Sequence, residues 1–170
     1  ENELAQSVCA FPGSRFVRYW VHSGMLQIND EKMSKSLGNF FTAREVLAKA
    51  PAEAVRLALI RTHYRSVADF SDAAVAEAKR ELDRLYRALE RYPNLGAVDV
   101  PPSVMAALCD DLNTPLALSA MHGLADKALA GDFESACALR AAGRLLGIVQ
   151  QSVDEWFRGG ADRAAIEAAI

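Results

Sequence analysis

Lys32 and Lys35 stand three residues apart in "INDEKMSKSLGN", residues 28 to 39, with Ser34 and Ser36 beside them and Gly38 close behind. A loop that folds back there brings two ammonium groups onto one anion, adds hydroxyl donors, and lets the backbone approach closely at the glycine. That combination suits stabilisation of a phosphate, above all the charge that builds on a departing pyrophosphate, where each cation contributes on the order of a few kcal/mol. Lysine fits better than arginine where the group travels with a loop and acts as a point charge. The chain has five lysines among its 19 Lys and Arg residues, so two in one short loop do not follow from abundance. Asp30 and Glu31, directly before them, fit equally well a solvated surface loop that neutralises itself.

The flanking sequence predicts the elements that hold this loop. "RFVRYWVHSGMLQI", residues 15 to 28, is aromatic and β-branched and is broken at Ser23-Gly24, which predicts one or two short strands around a turn. After the loop, Thr42 and Glu45 have the spacing of a capping box, so a helix is expected from about Ala43. Pro51 suits the start of a second helix through about His63, and "RSVADF" reads as extended. Ser71 caps the longest expected helix, about 72 to 91, in which Val75, Ala78, Leu82, Leu85 and Leu89 form an apolar stripe.

Beyond the connector "YPNLGAVDVPP", helices are expected near Pro102, near Pro115 with Thr114 as cap, and near Phe133 with Asp132 as cap. A short helix with a Ser152/Glu155 capping box should end at Gly159-Gly160, and "ADRAAIEAAI" is helical in character. Met105, Met121, Leu108, Leu112, Leu116 and Leu118 are assigned to the core of the bundle, and Cys9 is read as a small core residue. His122 and Trp156 give no signal of their own. The fold class expected is mainly α: an antiparallel helical bundle preceded by a short mixed α/β segment.

Composition narrows the class. The 170 residues are 51% hydrophobic and 24% charged, ordinary for a soluble globular chain of one domain or two small ones, and no apolar run approaches the ~20 residues of a membrane span. A net charge of -3 argues against a wholesale nucleic-acid coat and leaves room for local basic stripes. Cys9, Cys109 and Cys137 have no Cys-x-x-Cys spacing and no paired histidines, so neither a disulfide framework nor a self-contained zinc ribbon is implied, and a reducing cytoplasm is expected. The chain opens on Glu1-Asn2-Glu3 with neither an initiator methionine nor a secretory leader, as an excised piece would.

"KMSKS" followed by "LGN" resembles the second signature of the class I aminoacyl-tRNA synthetases. Together with "ENELAQS", "RYWVHSGM", "FFTAREVL", "VRLALIRTHYRS", "DFSDAAVAEAKRELDRLY" and "DDLNTPLAL", in that order, it is similar to the second half of the cysteinyl-tRNA synthetase family, strongly from residue 1 to about 125. The resemblance implies the C-terminal end of a Rossmann-like catalytic domain over residues 1–42, stem-contact-type connecting helices over 43–70, and an anticodon-binding type helical bundle over 71–170. It implies activation of L-cysteine with ATP and Mg2+ to cysteinyl-adenylate, then transfer to tRNA(Cys), by a cytoplasmic, monomeric parent with no membrane partner.

Site roles follow from the same resemblance. Lys35 would contact the ATP phosphates with Lys32 as supporting cation, and Met33, Ser34 and Ser36 share that loop. His22 and Gly24 would lie near the nucleotide. Glu3 matches the glutamate of a His-His-Glu-Asn-Glu element that helps ligate a structural Zn2+; its partner ligands would be upstream, so neither zinc binding nor activity is expected of this chain alone. Arg61 and Arg65 would approach the acceptor stem. Arg80, Arg84, Arg87 and Arg91, spaced four, three and four, share a helix face opposite the apolar stripe, suited to tRNA phosphates or to a solvated face with Glu77–Arg80 and Asp83–Arg87 pairs. Two rivals share part of the pattern: the cysteine ligase of the mycothiol pathway, and a non-catalytic helical RNA-binding or interaction module with an inherited loop.

Overall fold

The computed structural model describes residues 2–28, 31–33 and 41–158. In chain order it contains α1 (Asn2–Ala10), β1 (Leu26–Ile28), β2 (Glu31–Lys32), α2 (Ala43–Leu47), α3 (Ala52–Ile60), β3 (Ala68–Asp69), α4 (Asp72–Leu89), α5 (Pro102–Cys109), α6 (Thr114–Leu129), α7 (Phe133–Leu146) and α8 (Val153–Arg158). β1 is the central strand of a small sheet. It pairs antiparallel with β2, Gln27 opposite Lys32 and Ile28 opposite Glu31. It pairs parallel with β3, Leu26 opposite Ala68 and Gln27 opposite Asp69. A parallel partner requires a crossover, and α2 and α3 lie within it.

The helix starts follow from their caps. Thr42 Oγ1 accepts from the Glu45 amide while the Glu45 carboxylate accepts from the Thr42 amide at 2.6 Å, the reciprocal capping box. Ser71 caps α4 through the Ala74 amide, Asp132 caps α7 through Glu134, and Ser152 with Glu155 repeats the reciprocal pattern at α8. At α6 the cap is Asn113, whose side chain accepts from the Leu116 amide, and Thr114 is the first helical residue. Asparagine at that position takes the role expected of its neighbour because its amide oxygen reaches the third amide of the first turn.

Around α4 the helices close a core of Leu57, Leu82, Leu85, Leu89, Val104, Met121, Leu139 and Ile148, all essentially inaccessible to solvent. α3, α6 and α8 pack on α4, while α5 and α7 pack on α6. Burying each such side chain stabilises the fold by about 1.5–3 kcal/mol. A polar clamp sits inside this core. Buried Glu53, near the start of α3, accepts from the Tyr86 hydroxyl at 2.9 Å, the Val149 amide at 2.7 Å and the Gln150 amide at 3.1 Å. Burial and this carboxylate push the Tyr86 phenol well above its ordinary pKa, so it remains a donor. Tyr86 stacks on Trp156 at 4.5 Å, and the Trp156 indole N–H donates to Asp83 at 2.7 Å. Gly147 ends α7 at φ 71, and its carbonyl neighbour Leu146 accepts from Arg56 Nε, tying α3 to α7.

Several expectations are corrected. Residues 15–25 form no strand, because aromatic and β-branched residues adopt one only where a partner strand pairs with them, and β1 begins at Leu26. Residues 2–10 form α1, a helix not among the expected elements. Cys9 is exposed and not a core residue. Of the six residues assigned to the bundle core, Met121 and Leu118 are buried and Leu108 is partly buried; Met105, Leu112 and Leu116 face solvent on the far sides of α5 and α6 and the turn between them. The Gly159-Gly160 stop and the Ala-rich stretch lie outside the described residues. Among the described residues no helix is long and apolar enough to cross a membrane.

Candidate functional site

β1 and β2 carry the chain to the lysine loop, and the far side of the loop is fixed by aromatic packing and a cap. Lys32 lies in β2, opposite Gln27 of β1, and Met33 follows half-buried. Ser34, Lys35 and Ser36 lie outside the described residues, as does Gly38. The chain is described again at Phe41, whose ring packs on Phe70 at 5.8 Å, and at Thr42 with its capping box. Hydrogen bonding to the Thr42 amide and hydroxyl holds the Glu45 carboxyl below its ordinary pKa, so the cap is charged at neutral pH. The segment with the signature lysines is thus spanned by two anchored ends. One is β2 in the sheet; the other is the Phe41–Phe70 contact beside β3.

His22 is exposed and stacks on Trp20 at 6.1 Å, and Trp20, 55% exposed, is not the packed core residue its type suggests. Gly24 has a structural reason to be glycine. Its amide donates to Tyr64 O at 2.6 Å, and a Cβ there would lie 1.9 Å from Ser66 O. The 63–66 turn and β1 are therefore in backbone contact.

That turn carries the first pair of expected RNA-facing arginines. Arg65 Nε donates to Asp111 at 2.7 Å, and the Tyr64 hydroxyl donates to the same carboxylate at 2.6 Å. The Arg65 and Tyr64 hydrogen bonds hold the Asp111 carboxyl well below the usual carboxylate range, at about 2. The shared carboxylate raises the Tyr64 phenol above its ordinary value. Arg61 pairs with Glu81 at 3.2 Å and with Glu77 at 3.3 Å, and the His122 ring meets Glu81 at 2.7 Å, so α3, α4 and α6 share one ionic cluster. Asp111 and His122 are the residues sequence reading missed here. Their partners lie more than 40 positions away, and no local spacing announces them.

Arg80, Arg84 and Arg87 are exposed on α4 on the side away from the buried stripe, and Arg91 is exposed just past its C-terminal end. Arg84 pairs with Asp126 of α6, while Arg87 lies over the Phe157 ring and Arg91 over Tyr92. The expected Glu77–Arg80 and Asp83–Arg87 pairs do not form: Glu77 is taken by Arg61, and Asp83 by Lys79 and Trp156. An exposed pair such as Arg84–Asp126 contributes at most about 1 kcal/mol.

Residues 1–80 match the family described as the tRNA synthetases class I (C) catalytic domain, and residues 103–150 match the DALR domain. The whole chain is 60% identical to a cysteine–tRNA ligase of Acidiphilium cryptum and 56% identical to one of Gluconobacter oxydans, spanning 38% of each. It is 42% identical, over 99% of its length, to a cysteine–tRNA ligase of Rickettsia rickettsii. The chain belongs to the cysteine–tRNA ligase family. Measured against these ligases, it covers the end of the class I catalytic domain, with the lysine loop, and the helical DALR domain. It spans about two fifths of the length of the relatives it matches.

The zinc site that the resemblance implies is not assembled from the described residues. Glu3 is exposed on α1, and among the described residues no three His, Cys, Asp or Glu side chains gather to hold a metal ion. Three or four converging ligands are the minimum for a tetrahedral ion. The residues described do not fit zinc.

Proposed function

We propose that this chain is the part of a cysteine–tRNA ligase that holds the ATP phosphates during cysteine activation and presents helices to tRNA(Cys). The observation that carries the reading is the match, at 60% identity over the whole chain, to a ligase of that name. Lys35 and Lys32, with Ser34 and Ser36 beside them and Met33 between, neutralise charge on the β- and γ-phosphates as pyrophosphate leaves. Mg2+ accompanies ATP as part of the substrate. Cations that tighten only as this charge develops lower the barrier and do not merely add to ATP affinity. β2 and the capped α2 flank this segment on its two sides.

We assign residues 1–42 to the catalytic domain, 43–70 to the connecting helices and 71–170 to the helical domain. Arg80, Arg84 and Arg87 face tRNA phosphates, and Arg61 and Arg65 stand nearest the catalytic side of the same nucleic acid. His22 and Gly24 border the nucleotide. Zinc is assigned to the full-length enzyme and not to this chain alone, with Glu3 as one ligand. A cytoplasmic, monomeric enzyme completes the reading.

The test is a full-length ligase carrying this stretch, assayed for cysteine-dependent ATP–pyrophosphate exchange, for charging of tRNA(Cys), and for cysteine transfer to glucosaminyl-inositol. Exchange with charging is expected. Sugar ligation without charging would replace tRNA as the acceptor, and absence of exchange would remove the activation step.

A further inference from the structure

The turn between α5 and α6 is one of two places where described non-glycine residues take positive φ, the other being Val149. Asp111 and Leu112 are consecutive non-glycine residues at φ 51 and 53. Such conformations persist where the surroundings over-determine them, and they cluster at working parts of proteins. Here the strain aims one carboxylate outward. Asp110, at the end of α5, and Asn113, the cap of α6, fix the turn on both sides. Asp111 is left to accept from Tyr64 at 2.6 Å and from Arg65 through both Nε at 2.7 Å and a terminal nitrogen at 3.1 Å. A two-pronged guanidinium contact fixes orientation as well as distance.

Tyr64 also holds the catalytic side through its backbone, and β3 with Phe70 continues the contact. Tyr64 O accepts from Gly24, Met25 O accepts from Ala68, and Gln27 O accepts from Phe70. Gln27 is in turn opposite Lys32, the first lysine of the loop. A side chain at Gly24 would collide with Ser66, so the contact leaves no slack. The connection from the helical domain to the base of the loop is thus a continuous run of hydrogen bonds through four short segments.

We propose that Asp111, Tyr64 and Arg65 form a positioning joint through which the DALR domain sets β1 and the base of the lysine loop. Arg65 then acts first on a carboxylate of its own chain. This rests on the proposed function above, because the joint positions the loop for adenylate formation.

The test uses a full-length ligase with Asp111→Ala, Arg65→Ala, the double variant and Tyr64→Phe, measured without tRNA in cysteine-dependent ATP–pyrophosphate exchange and separately for tRNA affinity. Misplacement of reacting groups far from the chemistry lowers rate more than binding, so each alanine variant is expected to lose about 10-fold or more in kcat. KM for ATP should stay within about 2-fold in each variant, and the tRNA Kd within about 2-fold in Asp111→Ala and Tyr64→Phe, which leave Arg65 in place. The double variant should be no worse than the worse single one, since both remove the same contact. If Asp111→Ala does not fold, Tyr64→Phe carries the test by deleting one hydroxyl, with a smaller loss in kcat alone. Unchanged exchange in these variants, or losses that multiply in the double variant, would overturn the joint. So would weaker tRNA binding by Arg65→Ala with intact exchange, which would make Arg65 an RNA contact. A wild-type enzyme without exchange would instead sink the underlying reading, and the two failures are distinguished at the first control.

Discussion

In α1 no side chain is buried, and Leu4, Val8, Phe11, Tyr19, Trp20, Val21 and Met25 lie open along residues 2–25. In α4 every turn buries part of a stripe from Val75 to Leu89, closed over by α3, α6 and α8. The first region has a similar share of apolar types but buries none of them. The helical region carries its own core, and the loop between them takes its support from both: a strand from the first, a capped helix and the Phe41–Phe70 contact from the second. Chemistry residues can therefore be read locally, while their placement depends on a scaffold built largely elsewhere.

The largest expected contrast is in stability. Leu85→Ala should destabilise the 170-residue chain by about 2–5 kcal/mol, because a fully buried leucine leaves a cavity. Leu4→Ala on α1 should stay within about 0.5 kcal/mol. Denaturant unfolding of the two variants measures this directly, and equal effects would break the contrast. A smaller loss, about 1–3 kcal/mol, is expected for Glu53→Ala, which orphans the Tyr86 hydroxyl and the Val149 and Gln150 amides.

The smallest effect is electrostatic. The Asp111 carboxyl is held at about 2, below its unfolded value, so its contribution is fully present above about pH 4 and fades as pH falls toward that folded value. Acid unfolding of Asp111→Asn should differ from wild type above pH 4 and converge with it near pH 2. A constant difference across that range would mean that the carboxylate charge is not what holds the turn.

The sequence made the periodic and capped parts legible. Thr42/Glu45, Ser71, Asp132 and Ser152/Glu155 lie within three residues of what they bond, and the α4 stripe repeats with the helix. The same locality explains the arginine face and the lysine pair. What could not be read is long-range. Glu53 looks like an ordinary first-turn acid until residues 149–151 come back to it across nearly 100 positions. Tyr86 and Trp156, or Tyr64 and Asp111, meet only because helices pack. Met105, Leu112 and Leu116 were misassigned because leucine and methionine do not reveal which side of a short helix or turn faces the bundle. The aromatic run at 16–20 has strand propensity without a described strand to pair with.

The most direct test of the account is Lys35→Ala in a full-length ligase, followed by single-turnover formation of cysteinyl-adenylate and by tRNA(Cys) binding. Loss of a cation that stabilises the departing pyrophosphate should slow adenylate formation by about 100-fold or more, with the tRNA Kd unchanged. Adenylate formation at the wild-type rate would contradict the assignment of this loop to the chemistry.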